Sequence, residues 1–220
     1  MKIKRVTQGL DGNEDCSDEI KELLNKKRVY MINIMGSPGA GKTSLIIKLI
    51  NELKDEYNIG VIEGDIAGQI DAEKIDALGI PVVQLNIEGD CHIEALSIKN
   101  IIQYFNLDEI DLIFIENVGN LVCPAEFDVG EDLKMAILSV PEGDDKPEKY
   151  PLMFTITDAI IIGKYDMIEH FEFDDNKVEI VTNSYNPSAE VFRVSTRTGE
   201  GIEDLVKYMK RTINLKKNKH

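Results

Sequence analysis

The chain has 220 residues and a formal net charge of −15, with 43% hydrophobic and 30% charged residues. That length and apolar content suit one domain with its own core and exclude a wholly disordered chain. The acidic balance argues against general nucleic-acid binding, no stretch reaches the ~18 apolar residues of a membrane span, and Met1-Lys2-Ile3-Lys4-Arg5 lacks the apolar core of a secretory leader.

In chain order, residues 1–28 read as an N-terminal tail with a short amphipathic helix carrying Ile20, Leu23 and Leu24. Val29–Met35 is a nearly continuous apolar run, the pattern of a strand buried on both faces. Further strands are expected at Ile59–Ile62, Pro81–Asn86, Leu112–Ile115, Met135–Val140, Ala159–Ile162 and Val191–Val194. Helical patterns fall between them at 42–56, 71–78, 92–104, 146–154, 174–184 and 201–213. Strands alternating with helices predict an α/β fold with a mostly parallel sheet flanked by helices. The domain is expected over 29–215, with a basic, solvated tail at 216–220. Three cysteines (Cys16, Cys91 and Cys123) without a secretory leader suggest a reducing, cytoplasmic setting with free or metal-bound thiols.

Gly36-Ser37-Pro38-Gly39-Ala40-Gly41-Lys42-Thr43, followed by Ser44, fits the phosphate-loop pattern G-x-x-x-x-G-K-S/T. Its glycines let backbone N–H groups turn toward a phosphate, Lys42 reaches the β- and γ-phosphates, and the Thr43 hydroxyl binds Mg²⁺. The buried-type strand before it and the amphipathic helix inside it supply the context that the mechanism needs. After the strand Ala159–Ile162 comes Gly163-Lys164-Tyr165-Asp166, which matches the guanine-reading pattern N-K-x-D except at Gly163. Asp166 would accept from the guanine ring N–H and amine, Lys164 would lie over the base, and Ser195 would close the pocket. Restoring Asn at position 163 is expected to tighten binding. Asp65 and Glu116 stand at predicted strand C-termini, where an open α/β sheet places ligands. With Lys42 they form the expected catalytic set, Asp65 holding a magnesium-bound water or orienting the nucleophile and Glu116 serving magnesium. Asp71 is a further magnesium candidate or simply a helix cap. Cys91-His92 and Cys123 supply donors suited to Zn²⁺ or Ni²⁺, although buried structural cysteines are common.

Taken together, these segments resemble the HypB family of GTPases that assist nickel insertion into nickel–iron hydrogenase. The resemblance rests on Gly36–Thr43, Glu63-Gly64-Asp65, Asp71-Ala72-Glu73, Cys91-His92, the run Ile115–Ala125 with its Glu-Asn-Val-Gly-Asn and Cys-Pro, and Glu142–Pro151. It implies a SIMIBI-class P-loop fold and GTP hydrolysis to GDP with Mg²⁺. It implies a GTP-dependent homodimer with Cys91, His92 and Cys123 of both subunits at one metal site. Lys149 would reach nucleotide across the dimer or link nucleotide state to association. A HypA-type nickel chaperone and a hydrogenase large subunit are the implied partners, with no nucleic acid or membrane. The readings left open are a metabolic P-loop kinase or ligase, and a nucleotide-binding scaffold with little hydrolysis.

Overall fold

The structure is a computed structural model that describes residues 10–65, 70–86 and 91–217, with the backbone alone for 10–12, 65 and 70–72. In chain order the helices and strands are α1 (Leu10–Lys27), β1 (Tyr30–Gly36), α2 (Lys42–Leu53), β2 (Ile59–Asp65), α3 (Ile70–Asp76), β3 (Val82–Asn86) and α4 (Ala95–Ile101). Then come β4 (Leu112–Gly119), β5 (Leu133–Ser139), α5 (Lys146–Lys149), α6 (Pro151–Ile156), β6 (Ala159–Gly163), α7 (Asp175–Tyr185), β7 (Glu190–Arg193) and α8 (Ile202–Lys217). The seven strands form one sheet in the order β3-β2-β4-β1-β5-β6-β7, and every pairing is parallel.

The apolar runs explain the order. All seven residues of β1 are buried, and β1 lies between β4 and β5 at the centre. The edge strands β3 and β7 are only half-buried, as their mixed sequences require. Along β1 the side chains alternate. Tyr30, Ile32 and Ile34 join a core with Leu45, Leu49, Leu205 and Met209 of α2 and α8. Met31 faces the opposite side, where Ile20 and Leu24 of α1 and Ile98 of α4 pack. Each fully buried large aliphatic side chain contributes about 1.5–3 kcal/mol, so both layers are needed to hold the sheet.

Several elements differ from the pattern-based expectation. α1 is a long helix packed against α4 rather than a short appendage on a tail. α8 continues to Lys217, and Lys216 Nζ donates to the Val29 carbonyl at 2.8 Å and to Asp132 at 2.7 Å, so Lys216 and Lys217 belong to the folded domain. The helix expected over 146–154 breaks at Tyr150 (φ −128°, ψ 56°), because Pro151 disfavours helical geometry in the residue before it. Among the described residues no helix is long and apolar enough to cross a membrane.

Candidate functional site

The chain leaves the C-terminal end of β1 at Gly36 and enters α2 at Lys42. Gly41 caps α2 in the left-handed region (φ 106°), a conformation that a side chain would resist. This turn presents the helix N-terminus to a cavity of about 570 Å³. Gly41, Lys42, Thr43, Glu63, Glu116 and Lys164 are among its lining residues. The cavity lies beside β1, where the connections part to the two halves of the sheet, the usual ligand crevice of an open α/β sheet.

Lys42 is buried, and its Nζ donates to the carbonyls of Gly36 (3.3 Å) and Ser37 (3.1 Å). The Thr43 hydroxyl donates to Glu116 Oε1 at 2.8 Å. Ser37 Oγ donates to Glu142 Oε1, and Glu142 Oε2 accepts from Ser139 N–H at 2.8 Å, which ties the loop to the end of β5. Lys164, at φ 53°, donates from Nζ to the Gly39 carbonyl at 2.8 Å and braces the loop from the β6 side. Asp166 Oδ1 accepts from Ser195 Oγ at 2.7 Å, and Ser195 Oγ itself accepts from Thr198 N–H at 3.1 Å. Ser195 is fully buried, so it orients the Asp166 carboxylate from behind rather than lining an open pocket.

Other expected residues stand apart from this group. Lys149 is largely exposed at the end of α5, paired with Asp145, and is not among the cavity-lining residues. The side chains of Asp65 and Asp71 lie outside the described residues, although their backbones end β2 and begin α3. Glu63 was not singled out by the motif reading. Strand register sets it beside Glu116, and both buried carboxylates line the cavity. Its place two residues before Asp65 in β2 is the signal for it, since residues two apart in a strand share a face.

A second group forms beyond the ends of β3 and β4. The ligand atoms of Cys91, His92 and Cys123 all lie within 4.8 Å of one another. Metal–sulfur and metal–nitrogen bonds of ~2.3 and ~2.0 Å span comparable separations, so small movements suffice to close on one ion. Cys91 Sγ is 3.6 Å from His92 Nδ1, and the imidazole stacks on Phe127 at 3.8 Å. The Cys91-His92 pair precedes α4 rather than starting it. Cys16 packs instead against the core under α1 and takes no part.

Two asparagines hold this second group: Asn120, part of the Glu-Asn-Val-Gly-Asn segment but given no role by it, and Asn13, which no motif contains. Asn13 of α1 donates to the Asp128 carbonyl at 2.7 Å and accepts from Ala95 N–H at 2.8 Å, bridging both ligand-bearing loops. Asn120 donates to the Cys91 carbonyl at 3.2 Å and accepts from Val122 N–H at 2.8 Å. Behind them Asn33 donates to Glu131 at 3.0 Å and accepts from Asn117 Nδ2 at 3.1 Å. Burial raises the Glu131 carboxyl above its ordinary value, against the lowering charge of Lys134.

The profile of the nucleotide-binding domain of CobW/HypB/UreG proteins matches residues 30–193. A probable hydrogenase maturation factor HypB of Methanocaldococcus jannaschii is 41% identical over 204 residues, 93% of this chain and 92% of the relative. The crystal structure of HypB from Helicobacter pylori in complex with nickel aligns with a TM-score of 0.86 at 36% identity, over 92% of this chain and 95% of that one. The structure of hydrogenase maturation factor HypB from Archaeoglobus fulgidus aligns with a TM-score of 0.87 at 33% identity, over 93% of this chain and all of that one.

Proposed function

Because the chain belongs to the CobW/HypB/UreG nucleotide-binding family, we propose that it is a GTP-hydrolysing carrier of nickel for hydrogenase maturation. The observation that carries this reading is one segment serving two sites. The stretch from Glu116 to Cys123 begins at the phosphate-loop cavity and ends in the Cys91, His92 and Cys123 cluster.

The residues divide the work. The backbone N–H groups of residues 36–43, Pro38 excepted, receive the phosphates, and Ser44 extends the first turn of α2 beneath them. Lys42 exchanges neutral carbonyl acceptors for charged phosphate oxygens, a stronger pairing. Asp166, held by Ser195, reads guanine, and Lys164 braces the loop under the base. The Thr43 hydroxyl and the Glu116 carboxylate are oxygen donors already in contact, which fits Mg²⁺. When bound, that ion neutralises charge on the β- and γ-phosphates. Asp65 is assigned to a magnesium-bound water or to orienting the nucleophile and Asp71 to magnesium, while Glu63 is a carboxylate of the cavity wall. Catalysis of this type is positioning and charge stabilisation, with no covalent nucleophile.

Nickel is the cargo, and zinc can occupy the same donors. Three donors leave a coordination position open, which a second copy related by two-fold symmetry can fill. Val122 is exposed beside Cys123 and offers an apolar contact for such a copy. GTP-dependent dimerisation, a role for Lys149 at the nucleotide of that copy, and delivery between a HypA-type chaperone and the hydrogenase large subunit complete the reading.

The test uses purified protein with Mg²⁺. Phosphate release from GTP is expected in the wild type and lost in Lys42→Ala. Nickel binding is expected near one ion per dimer and weakened in Cys123→Ala with GDP affinity retained. Hydrolysis at the wild-type rate by Lys42→Ala, or nickel affinity unchanged in Cys123→Ala, would overturn it.

A further inference from the structure

Asn120 touches three things at once. Its N–H donates to the Gly36 carbonyl at 3.1 Å, an isolated antiparallel bridge between the end of β4 and the entrance of the phosphate loop. Its Oδ1 accepts from Val122 N–H at 2.8 Å, one residue before the Cys123 thiol. Its Nδ2 donates to the carbonyl of Cys91 at 3.2 Å, on the residue that carries the other thiol. Both thiols of the metal cluster therefore hang from one carboxamide, and the backbone of that residue is fastened to the phosphate loop.

The Gly36 carbonyl gives this arrangement a direction. It accepts from Asn120 N–H and also from Lys42 Nζ. A phosphate that draws Lys42 toward itself removes one of these two donors and changes the load on the bond to Asn120. The neighbouring residue adds a steric link. A Cβ on Gly119 would lie 2.8–2.9 Å from Pro38, so β4 and the phosphate loop are packed in direct contact there. With no room for even a Cβ between them, Pro38 and Gly119 leave little slack beside residue 120.

We infer that Asn120 is the positioning residue through which phosphate-loop occupancy sets the spacing of the Cys91 and Cys123 thiols, and hence the affinity for the metal. The inference rests on the proposed function, since it joins that nucleotide site to that metal site. Reciprocal linkage requires that metal then alter nucleotide affinity by the same factor.

The experiment measures Ni²⁺ affinity by competition with a chromophoric chelator, with no nucleotide, with GDP and with a non-hydrolysable GTP analogue. It compares wild type, Asn120→Ala and Asn120→Asp. The aspartate keeps the acceptor for Val122 N–H and loses the donor to Cys91, so it isolates that arm. In the wild type, nickel affinity should change between nucleotide states by about 5- to 150-fold. In both variants that dependence should fall to within about twofold, with GDP affinity in the absence of metal and the melting temperature near wild type. Full nucleotide dependence in either folded variant overturns the inference and leaves the carrier reading standing. Equal losses of coupling, GDP affinity and melting temperature would mark Asn120 as a general support and overturn it too. A wild type that binds nickel and GTP without mutual effect also overturns it, whereas a wild type that binds neither defeats the proposed function itself.

Discussion

Gly163 occupies the position where the guanine-reading motif carries asparagine, and the structure gives a packing reason for the departure. A Cβ built there would lie 3.1 Å from Ile137 Cδ1 and 3.2 Å from Cγ1. Ordinary carbon contacts are ~3.5–4.0 Å, so the overlap is a few tenths of an ångström. Ile137 is 3% exposed and has little room to retreat. It also floors the phosphate loop, since a Cβ on Gly36 would meet Ile137 Cγ2 at 2.6 Å. Gly163→Asn alone is therefore expected to overpack this floor and lower stability by ~1–3 kcal/mol. In a domain of this size that is a melting shift of ~2–12 °C. It should not tighten GDP binding, contrary to what the motif by itself suggests. Ile137→Val removes Cδ1, the nearer of the two contacts, costs ~0.5–1.5 kcal/mol alone, and relieves part of the crowding around the asparagine. The double variant should be more stable than the sum of the single changes by at least ~1 kcal/mol, and its GDP affinity should exceed that of Gly163→Asn. Urea unfolding and GDP titration of the four proteins measure both quantities. Additive stabilities, within ~0.5 kcal/mol, would refute the packing argument. So would tighter GDP binding by Gly163→Asn at wild-type stability.

Ser195→Ala removes the donor that fixes Asp166 and leaves the Thr198 N–H without its acceptor. A hydrogen bond to a charged group contributes ~1.5–3 kcal/mol, so GDP affinity should fall roughly 10- to 150-fold while the weaker adenine nucleotide affinity hardly changes. Paired titrations with GDP and ADP check this, and an equal loss for both bases would remove Ser195 from base reading. Burial, reinforced by Asp158 and Glu190, pushes the Tyr208 phenol up to about 12. A raised folded-state value means stability that is complete below the ordinary phenol value of ~10 and lost as pH rises from there toward that of the folded state. Tyr208→Phe should flatten part of the alkaline decline in urea unfolding between those limits, and an unchanged pH profile would contradict the assignment.

Local pattern determined much of this protein. The apolar run from Val29 to Met35 marks a strand buried on both faces because its side chains offer neither face to water. The glycines and Lys42-Thr43 mark a phosphate loop because the required backbone and the required charge are both written in consecutive residues. Pro151 marks a helix boundary by the same local logic, although the helical spacing around it obscured the break. What depended on strand order and register could not be read this way. Glu63 reaches the cavity because β2 pairs with β4 in a register that sets it beside Glu116. Cys91 meets Cys123 only in the folded chain, where residues that follow β3 and β4 bring their ligand atoms within 4.8 Å. Ser195 and Asn120 stand in segments that the sequence marks, but their hydrogen bonds to Asp166 and to the Cys91 carbonyl, and those of Asn13, join residues far apart along the chain and leave no periodic signature. The crowding at Gly163 comes from Ile137 on the adjacent strand. Periodicity records each residue's own dihedral preferences and burial, whereas these contacts exist only once distant segments have been packed into one sheet.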